Sequence, residues 1–386
     1  MSPDSTPPSG RWEVVCCSLE SWDDVWRRNQ FLADHLLRTA GDSRILFVEP
    51  PVDVVWSLMR GRPLRSKGLR PIGGTGRLWA FEPRKILPRR LSRQVDRRLC
   101  RRVLQVIRQL GFRDPILWIN DSSYAEFPSL TGYPSVYDVT DDWNLVGRGG
   151  REHQRQVTND RILLGAADEV VVCSPALARS RGQERQIHLI TNAVDIDHFR
   201  APRPRPPDLP TGPVVLYSGT LSEGRLDIDL SLQLARALSG RATLVFVGPD
   251  ACGPESTNRL IEAGALLLGS RPYRDIPAYL QHADVLVVPH VVNAFTESLD
   301  PIKAREFLAV GRPVVSTPVA GFRDLPAPVA TVDRGGFAAV VMKVLDEPGP
   351  EGIGPLPGRL PSWSESGDKF LAVLEAARAG RRSKAA

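Results

Sequence analysis

Short, unbroken apolar runs recur along this chain, each followed by a stretch with helical periodicity, and they come in two series. The first holds 12–17, 45–49, 78–81, 116–119, 135–139, 169–173 and 187–190. The second holds 214–218, 243–247, 265–268, 285–288 and 313–316. Continuous rather than alternating apolar runs are the pattern of parallel strands covered on both faces. Helical patterns lie between them, for example at 25–37, 91–110 and 153–167. Two consecutive β/α series predict two doubly wound Rossmann-like α/β domains facing a central cleft, with ligands beyond the carboxyl ends of the strands.

Between the series, residues 201–213 carry six prolines, which reads as a stiff extended linker. The expected organisation is a tail at 1–11, a first domain at 12–200, that linker, a second domain at 214–362, a terminal helix at 363–380 and a basic tail at 381–386. A length of 386 residues gives each domain ample core. No apolar run approaches the roughly 20 residues of a membrane helix. The first ten residues have neither the basic nor the apolar region of a secretory signal. The five cysteines are scattered, and none pairs with His at a metal spacing. Buried thiols in a reducing cytoplasm are the expectation.

The net charge of +6 is uneven. Between 60 and 108 stand 16 Lys and Arg against Glu82 and Asp96, a local +14, so the remainder sums to −8. Within that stretch Leu91, Val95, Leu99, Val103, Val106 and Leu110 form a helical stripe with arginines on the other faces. Such a helix can lie on an anionic membrane or pack on a core with a solvated basic face. No nucleic-acid motif accompanies the charge.

The most informative segment is 295–317. Asp300 is an expected N-cap and Pro301 an expected first helical residue. Gly311 closes the helix, and 313–317 is a β-branched strand. The unbonded amides and dipole of a helix start suit an anion such as a diphosphate. Lys303 and Glu306 share a face just inside that end. A cation there can neutralise phosphate, and a carboxylate one turn further in can accept from a ribose diol.

Pro301-x-Lys303-x-x-Glu306-x-x-Ala309-x-Gly311-x-Pro313 resembles the donor-site signature of GT-B glycosyltransferases, in particular the retaining, family-4-like group. The resemblance implies a GT-B fold, with Glu306 on the nucleotide ribose and the amides of Thr296, Glu297, Ser298 and Leu299 on the diphosphate. Many members carry a second Glu that touches the transferred sugar; Glu297 stands one residue out of that register, with Ser298 in its place. Gly219-Thr220-Leu221 resembles the loop facing the donor phosphates, and Arg225 is a second cation candidate. Ser270, Arg271 and Pro272 match the loop that lines the base, with Tyr273 beside them. His290 ends a strand next to the pocket loop. The terminal helix is expected to pack back on the first domain, anchored by Trp363.

In the first domain, the segment 21–33 is similar to the opening of a subset that includes teichuronic-acid-type transferases. Arg28 and Gln30 match its pattern, and Arg28 becomes an acceptor-side candidate. At 136–143, Asp141 and Asp142 replace the His-Asp pair of many members. Asp141 is the catalytic candidate with Lys303 and Arg225, orienting the acceptor hydroxyl or stabilising an oxocarbenium-like transition state. Asp142 is acceptor-side, and either Asp can instead cap the next helix.

The expectation is therefore a retaining, metal-independent glycosyltransferase without a cofactor, its nucleotide-diphosphate sugar being a co-substrate. The acceptor would be a sugar, a lipid-linked glycan or a small natural product. Nucleic acid is not an expected partner. Location would be cytoplasmic, with peripheral contact at the inner membrane face if the basic helix meets lipid. A GT-B sugar-nucleotide 2-epimerase and a catalytically silent nucleotide-sugar-binding partner are the alternatives.

Overall fold

The structure, a computed structural model, describes residues 12–54, 66–85, 94–145, 149–183, 185–347, 349–350 and 352–385. The N-terminal tail, Leu91 and much of the basic stretch lie outside them. The described chain divides into two compact units. Unit 1 holds the described residues of 12–23, 27–191 and 364–385; unit 2 holds Asp24–Trp26 and Asn192–Trp363.

Unit 1 contains β1 (Glu13–Cys17), β2 (Arg44–Val48), β3 (Val52–Asp53), β4 (Gly68–Ile72), β5 (Leu78–Glu82), β6 (Arg84–Lys85), β7 (Ile116–Ile119), β8 (Ser135–Val139), β9 (Glu169–Val172) and β10 (His188–Leu189). Eight of these form one sheet in the order β10-β9-β8-β7-β1-β2-β5-β4, and β3 pairs with β6 alone. All pairs in the large sheet are parallel except β4 with β5. The central strands β1, β7 and β8 are buried almost throughout, as their apolar runs predict.

The sequence pattern does not reveal β3, β4 and β6. The segment Gly-Leu-Arg-Pro-Ile of β4 has no strand-like run, and Pro71 argues against a central strand. Pro71 is accommodated because β4 is the sheet edge, where a missing donor costs no ladder bond. Arg70 then fastens the edge with two bonds, at 2.7 and 2.8 Å, to the buried Glu49 carboxylate.

Unit 2 contains β11 (Val214–Ser218), β12 (Thr243–Val247), β13 (Leu266–Gly269), β14 (Val285–Val288), β15 (Val314–Ser316) and β16 (Val329–Thr331), ordered β13-β12-β11-β14-β15-β16 and all parallel. Successive residues serve opposite cores. Val214, Leu216, Leu286, Val288 and Val314 pack on one face, while Val215, Tyr217, Val285, Val287 and Val315 pack on the other. Burial on both faces explains why these strands read as continuous apolar runs.

Two boundaries need correction. The expected domain break at 201–213 falls instead between Thr191 and Asn192. The Pro-rich segment is not a free connector but a strap on unit 2. Arg203 N donates to Gln281 Oε1 at 2.9 Å, Leu209 is buried, and Asp208 takes bonds from Arg271 at 2.6 Å and Tyr279 at 2.9 Å. The terminal helix runs Trp363–Ala385, through the expected basic tail. It lies in unit 1, where His35 meets Asp368 at 2.8 Å and Phe370 packs on Trp118. Arg381 extends the docking by donating to the Gly132 carbonyl at 3.0 Å.

A buried charge pair ties helix Arg28–Thr39 to β8. Arg28 Nε lies 3.3 and 3.2 Å from the two Asp138 oxygens, and Trp118 Nε1 donates to the same carboxylate at 3.1 Å. Removing one partner of such a pair leaves an uncompensated charge, so Asp138→Ala is expected to cost about 3–5 kcal/mol by urea denaturation. A loss below about 1 kcal/mol would show that this pair does not secure unit 1.

Candidate active site in the second unit

The carboxyl ends of β11, β14 and β15 lie side by side in the unit 2 sheet. The loops that leave them are bound to one another. Asp227 N donates to Pro289 O at 2.9 Å and Val291 N to Arg225 O at 2.8 Å. Thr317 Oγ1 donates to the His290 carbonyl at 2.8 Å. Gly219, at φ 141°, has no room for a side chain: a Cβ there would overlap Lys303 Nζ. A Cβ on Gly248, at φ 149°, would overlap the Gly219 carbonyl. Both glycines are thus required by close approach and by backbone angle.

Helix Ile302–Val310 presents Lys303 and Glu306 to this corner. They are only partly exposed. Lys303 Nζ does not pair with Glu306. It donates to Tyr217 Oη at 3.0 Å and stands 4.2 Å from the Tyr217 ring centroid. Burial, then the nearby Arg225, brings Lys303 down to about 7, against a smaller opposing pull from Glu306. Burial pushes Glu306 up to about 7, with Lys303 opposing. No hydrogen bond or ion pair holds the Glu306 carboxylate among the described residues. Arg225 lies with its guanidinium 5.3 Å from the Phe295 ring centroid. His290, fully enclosed, is held well below its ordinary value by burial first and then by Lys303 and Arg225.

The helix start differs from the sequence expectation. Pro301 is the N-cap and Ile302 the first helical residue. Asp300 makes no cap; its carboxylate binds Arg305 at 2.8 Å and the Asn192 amide at 2.7 Å. The loop amides are also committed. Thr296 N donates to Asn293 Oδ1 at 2.9 Å, Glu297 N to Asn293 O at 3.0 Å and Ser298 N to Phe295 O at 3.0 Å. They brace a 3-10 turn, Thr296–Ser298, rather than reaching outward. The expected diphosphate contacts from Thr296, Glu297 and Ser298 amides are corrected accordingly, and Leu299 follows as an extended, partly exposed residue. The Glu297 carboxylate is held by Arg323 at 2.6 Å.

In the expected base loop, Ser270 is exposed and Pro272 partly exposed. Arg271 is turned away, onto Asp208 at 2.6 Å and Tyr279 Oη at 2.8 Å, and so locks the Pro-rich strap rather than lining a base. Tyr273 stacks on His198 at 4.5 Å between centroids and on Trp26 at 6.1 Å. Its hydroxyl is held well above the ordinary range by burial first and by the Glu306 charge next.

The unit 1 candidates fare differently. Asp142 is buried and committed to Arg181 at 2.8 Å; burial pushes it up despite that partner. It also accepts from Asn144 N at 3.3 Å. Arg28 is likewise committed to Asp138. Asp141 is partly exposed, with the Thr140 hydroxyl at 3.4 Å.

The sequence pattern points to Lys303, Glu306, Gly219, Thr220 and Arg225, and the fold brings them to one place. It does not point to Tyr217, Gly248 or Asn293. Tyr217 is the last apolar residue of a strand that reads as pure core, and only its hydroxyl could raise the question. Gly248 follows a strand end just as Gly219 does, a signal that is legible.

Known proteins resemble this chain in sequence and fold. The family model described as Glycosyl transferases group 1 matches residues 212–346, a span that holds Gly219, Arg225, His290, Lys303 and Glu306. A curated Bacillus subtilis protein, assigned by its name to teichuronic acid biosynthesis as a glycosyltransferase, is 26% identical over 257 residues. That match spans 61% of this chain and 64% of the relative. Among solved structures, sucrose-phosphate synthase from Thermosynechococcus elongatus superposes with a TM-score of 0.63 at 16% identity, over 96% of this chain and 94% of that one. HepE of Anabaena, solved with UDP and glucose, gives 0.58 at 15% identity, over 96% and 94%. The fold is GT-B. Over residues 212–346 this chain is similar to the group 1 glycosyltransferases, and its fold is theirs.

Gly219→Ala would strain φ and displace Lys303 Nζ, so nucleotide binding should be lost while the melting temperature falls only modestly; unchanged binding would place the ligand elsewhere. For Glu306, the folded-state value is raised, so its burial penalises the fold as pH rises from about 4.5, fully above about 7. Glu306→Gln should therefore melt higher than wild type at pH 8 and like wild type at pH 4. The opposite order would contradict the desolvation of this carboxylate.

Proposed function

We propose that this chain transfers a sugar from a nucleoside-diphosphate donor, bound in unit 2, to an acceptor hydroxyl. One observation carries the reading. A desolvated lysine and a desolvated carboxylate, with no bond between them, stand three residues apart at the strand ends of a group 1 domain, beside a glycine cleared of any side chain. Perturbed groups of opposite sign without a mutual ion pair support a ligand site over a structural bridge. Lys303 would meet the diphosphate and Glu306 the ribose diol, with Gly219 and Thr220 offering backbone at close range. Ser270 and Pro272 would border the base. HepE, which shares the fold, was solved with UDP and glucose, consistent with a nucleotide in this domain type.

In the transfer, the bond from the anomeric carbon to the diphosphate oxygen breaks and its electron pair leaves on the diphosphate. The acceptor oxygen forms the new bond on the same face, and its proton passes to the departing phosphate oxygen. Retention then needs no covalent intermediate. Lys303 and Arg225 supply the positive charge that the leaving group requires, preorganised at low dielectric. Asp141 would orient the acceptor hydroxyl. We read the chemistry as metal-independent, and turnover should survive chelation of divalent cations. The epimerase and silent-partner readings have no specific observation in their favour.

The acceptor class follows the Bacillus subtilis relative toward polysaccharide biosynthesis, on a sugar or lipid-linked glycan. No helix among the described residues is long and apolar enough to cross a membrane. We read the location as cytoplasmic with electrostatic contact at the inner membrane face. Helix Gln94–Gln109 spends its apolar stripe on the core: Val95, Leu99, Val103 and Val106 are buried. Arg97, Arg98, Arg101, Arg102 and Arg108 are exposed. Such a face can bind anionic lipid by charge but has nothing left to insert. Sedimentation with phosphatidylglycerol vesicles should be strong at low salt and lost near 0.5 M; binding that resists salt would contradict this.

The donor reading is tested by titrating wild type and Glu306→Ala with UDP, GDP, dTDP and ADP. One nucleotide should bind, with most of that affinity lost in the variant. Equal binding by both proteins would overturn the site.

A further inference from the structure

Lys303 could have paired with Glu306, which lies one turn along the same helix face. It goes instead to Tyr217, a side chain from the β11 strand end. Tyr217 is fully buried, and its hydroxyl sits at a junction: 3.0 Å from Lys303 Nζ, 3.1 Å from His290 Nε2 and 3.2 Å from the Thr220 carbonyl. A phenol has one proton to give and lone pairs to accept with. His290 Nε2 and Thr220 O are the two takers of that proton. Either choice turns a lone pair toward Lys303. The ring face adds a second attraction for a cation that a neutral amine would not feel. His290 is fixed from below, its N–H and carbonyl both bound to Thr317 Oγ1 at 3.2 and 2.8 Å.

We propose that Tyr217, backed by His290, is the positioning residue of the donor site: it holds the Lys303 ammonium beside Gly219, away from Glu306, where a diphosphate would meet it. The inference rests on the donor-site reading above. It assigns work to two buried polar side chains that the transfer itself does not use. The charged and titratable groups facing Lys303 and Tyr217 are Arg225 from the loop after β11, His290 after β14, Glu306 on the same helix and Cys252 after β12. None of these offers Lys303 a direct bond; the Tyr217 hydroxyl does.

The test uses the full chain and inorganic pyrophosphate, which carries the diphosphate without a base, titrated from pH 6 to 9. Wild type should bind and lose affinity as Lys303 deprotonates. Tyr217→Phe keeps the ring and the core but removes the acceptor. It should bind about tenfold more weakly at pH 7.5, the scale of one hydrogen bond to a charged group. The pH midpoint of its affinity loss should also fall by about one unit. His290→Leu, which leaves the Thr220 carbonyl as the remaining taker, should move the midpoint the same way but less, and His290→Gln, which can replace Nε2, should restore it. A purely structural role would lower the melting temperature without moving the midpoint. Lys303→Met separates the two claims. If it loses pyrophosphate binding while Tyr217→Phe and His290→Leu titrate as wild type, the positioning inference fails and the donor site stands. If Lys303→Met binds as wild type, the donor site itself fails and the inference with it.

Discussion

Desolvation of two opposite charges that do not touch sets the character of this protein. Lys303 and Glu306 are each drawn toward about 7, from 10.5 and 4.5, chiefly by burial. A direct bridge would relieve much of that cost, yet the geometry sends Lys303 to Tyr217 and leaves Glu306 without a bond among the described residues. The surrounding fold upholds the arrangement. The glycines at 219 and 248 clear the space, the Asn293–Thr296 exchange stiffens the loop, and Asp300 clamps Asn192 and Arg305 instead of capping its own helix. On the donor-site reading, energy stored in this way would be recovered when a ligand with the complementary charge and hydroxyls arrives, the usual trade of stability for function.

Much of this is legible in the sequence. The strands of both units stand out because burial on two faces leaves no polar alternation. The three-residue spacing of Lys303 and Glu306 is enough, by helical period alone, to put both side chains on one face. What the pattern does not carry is partner choice. Asp300 has ideal cap chemistry, but its carboxylate is claimed by Asn192, 108 residues away in sequence. Arg271 stands where a base contact is expected, and Asp208, 63 residues earlier, takes it. The prolines at 201–213 describe a stiff segment correctly and say nothing of whether it lies free or strapped down. Tyr217 shows the converse: its place in a strand is plain from the pattern, and its hydroxyl partners, Lys303 on a helix and His290 in a loop, are not.

The first unit solves a different problem. Its central buried carboxylate, Asp138, is paired with Arg28 and takes a hydrogen bond from Trp118, which consumes an arginine that pattern alone assigns to the acceptor. Asp142 is consumed in the same way by Arg181. Charged side chains near strand ends are thus divided between holding the fold and facing a ligand, and only burial and partners distinguish them. Asp141 is less buried than either Asp138 or Asp142 and lies beside the Thr140 hydroxyl.

Burial brings Lys303 down to about 7, so a bound diphosphate should raise its proton occupancy. Calorimetric titration of the cognate nucleoside diphosphate at pH 8.5, in buffers of different ionisation enthalpy, measures this directly. Wild type should take up about one proton per nucleotide, and Lys303→Met none. Binding without proton uptake in wild type, or equal uptake in the variant, would contradict it.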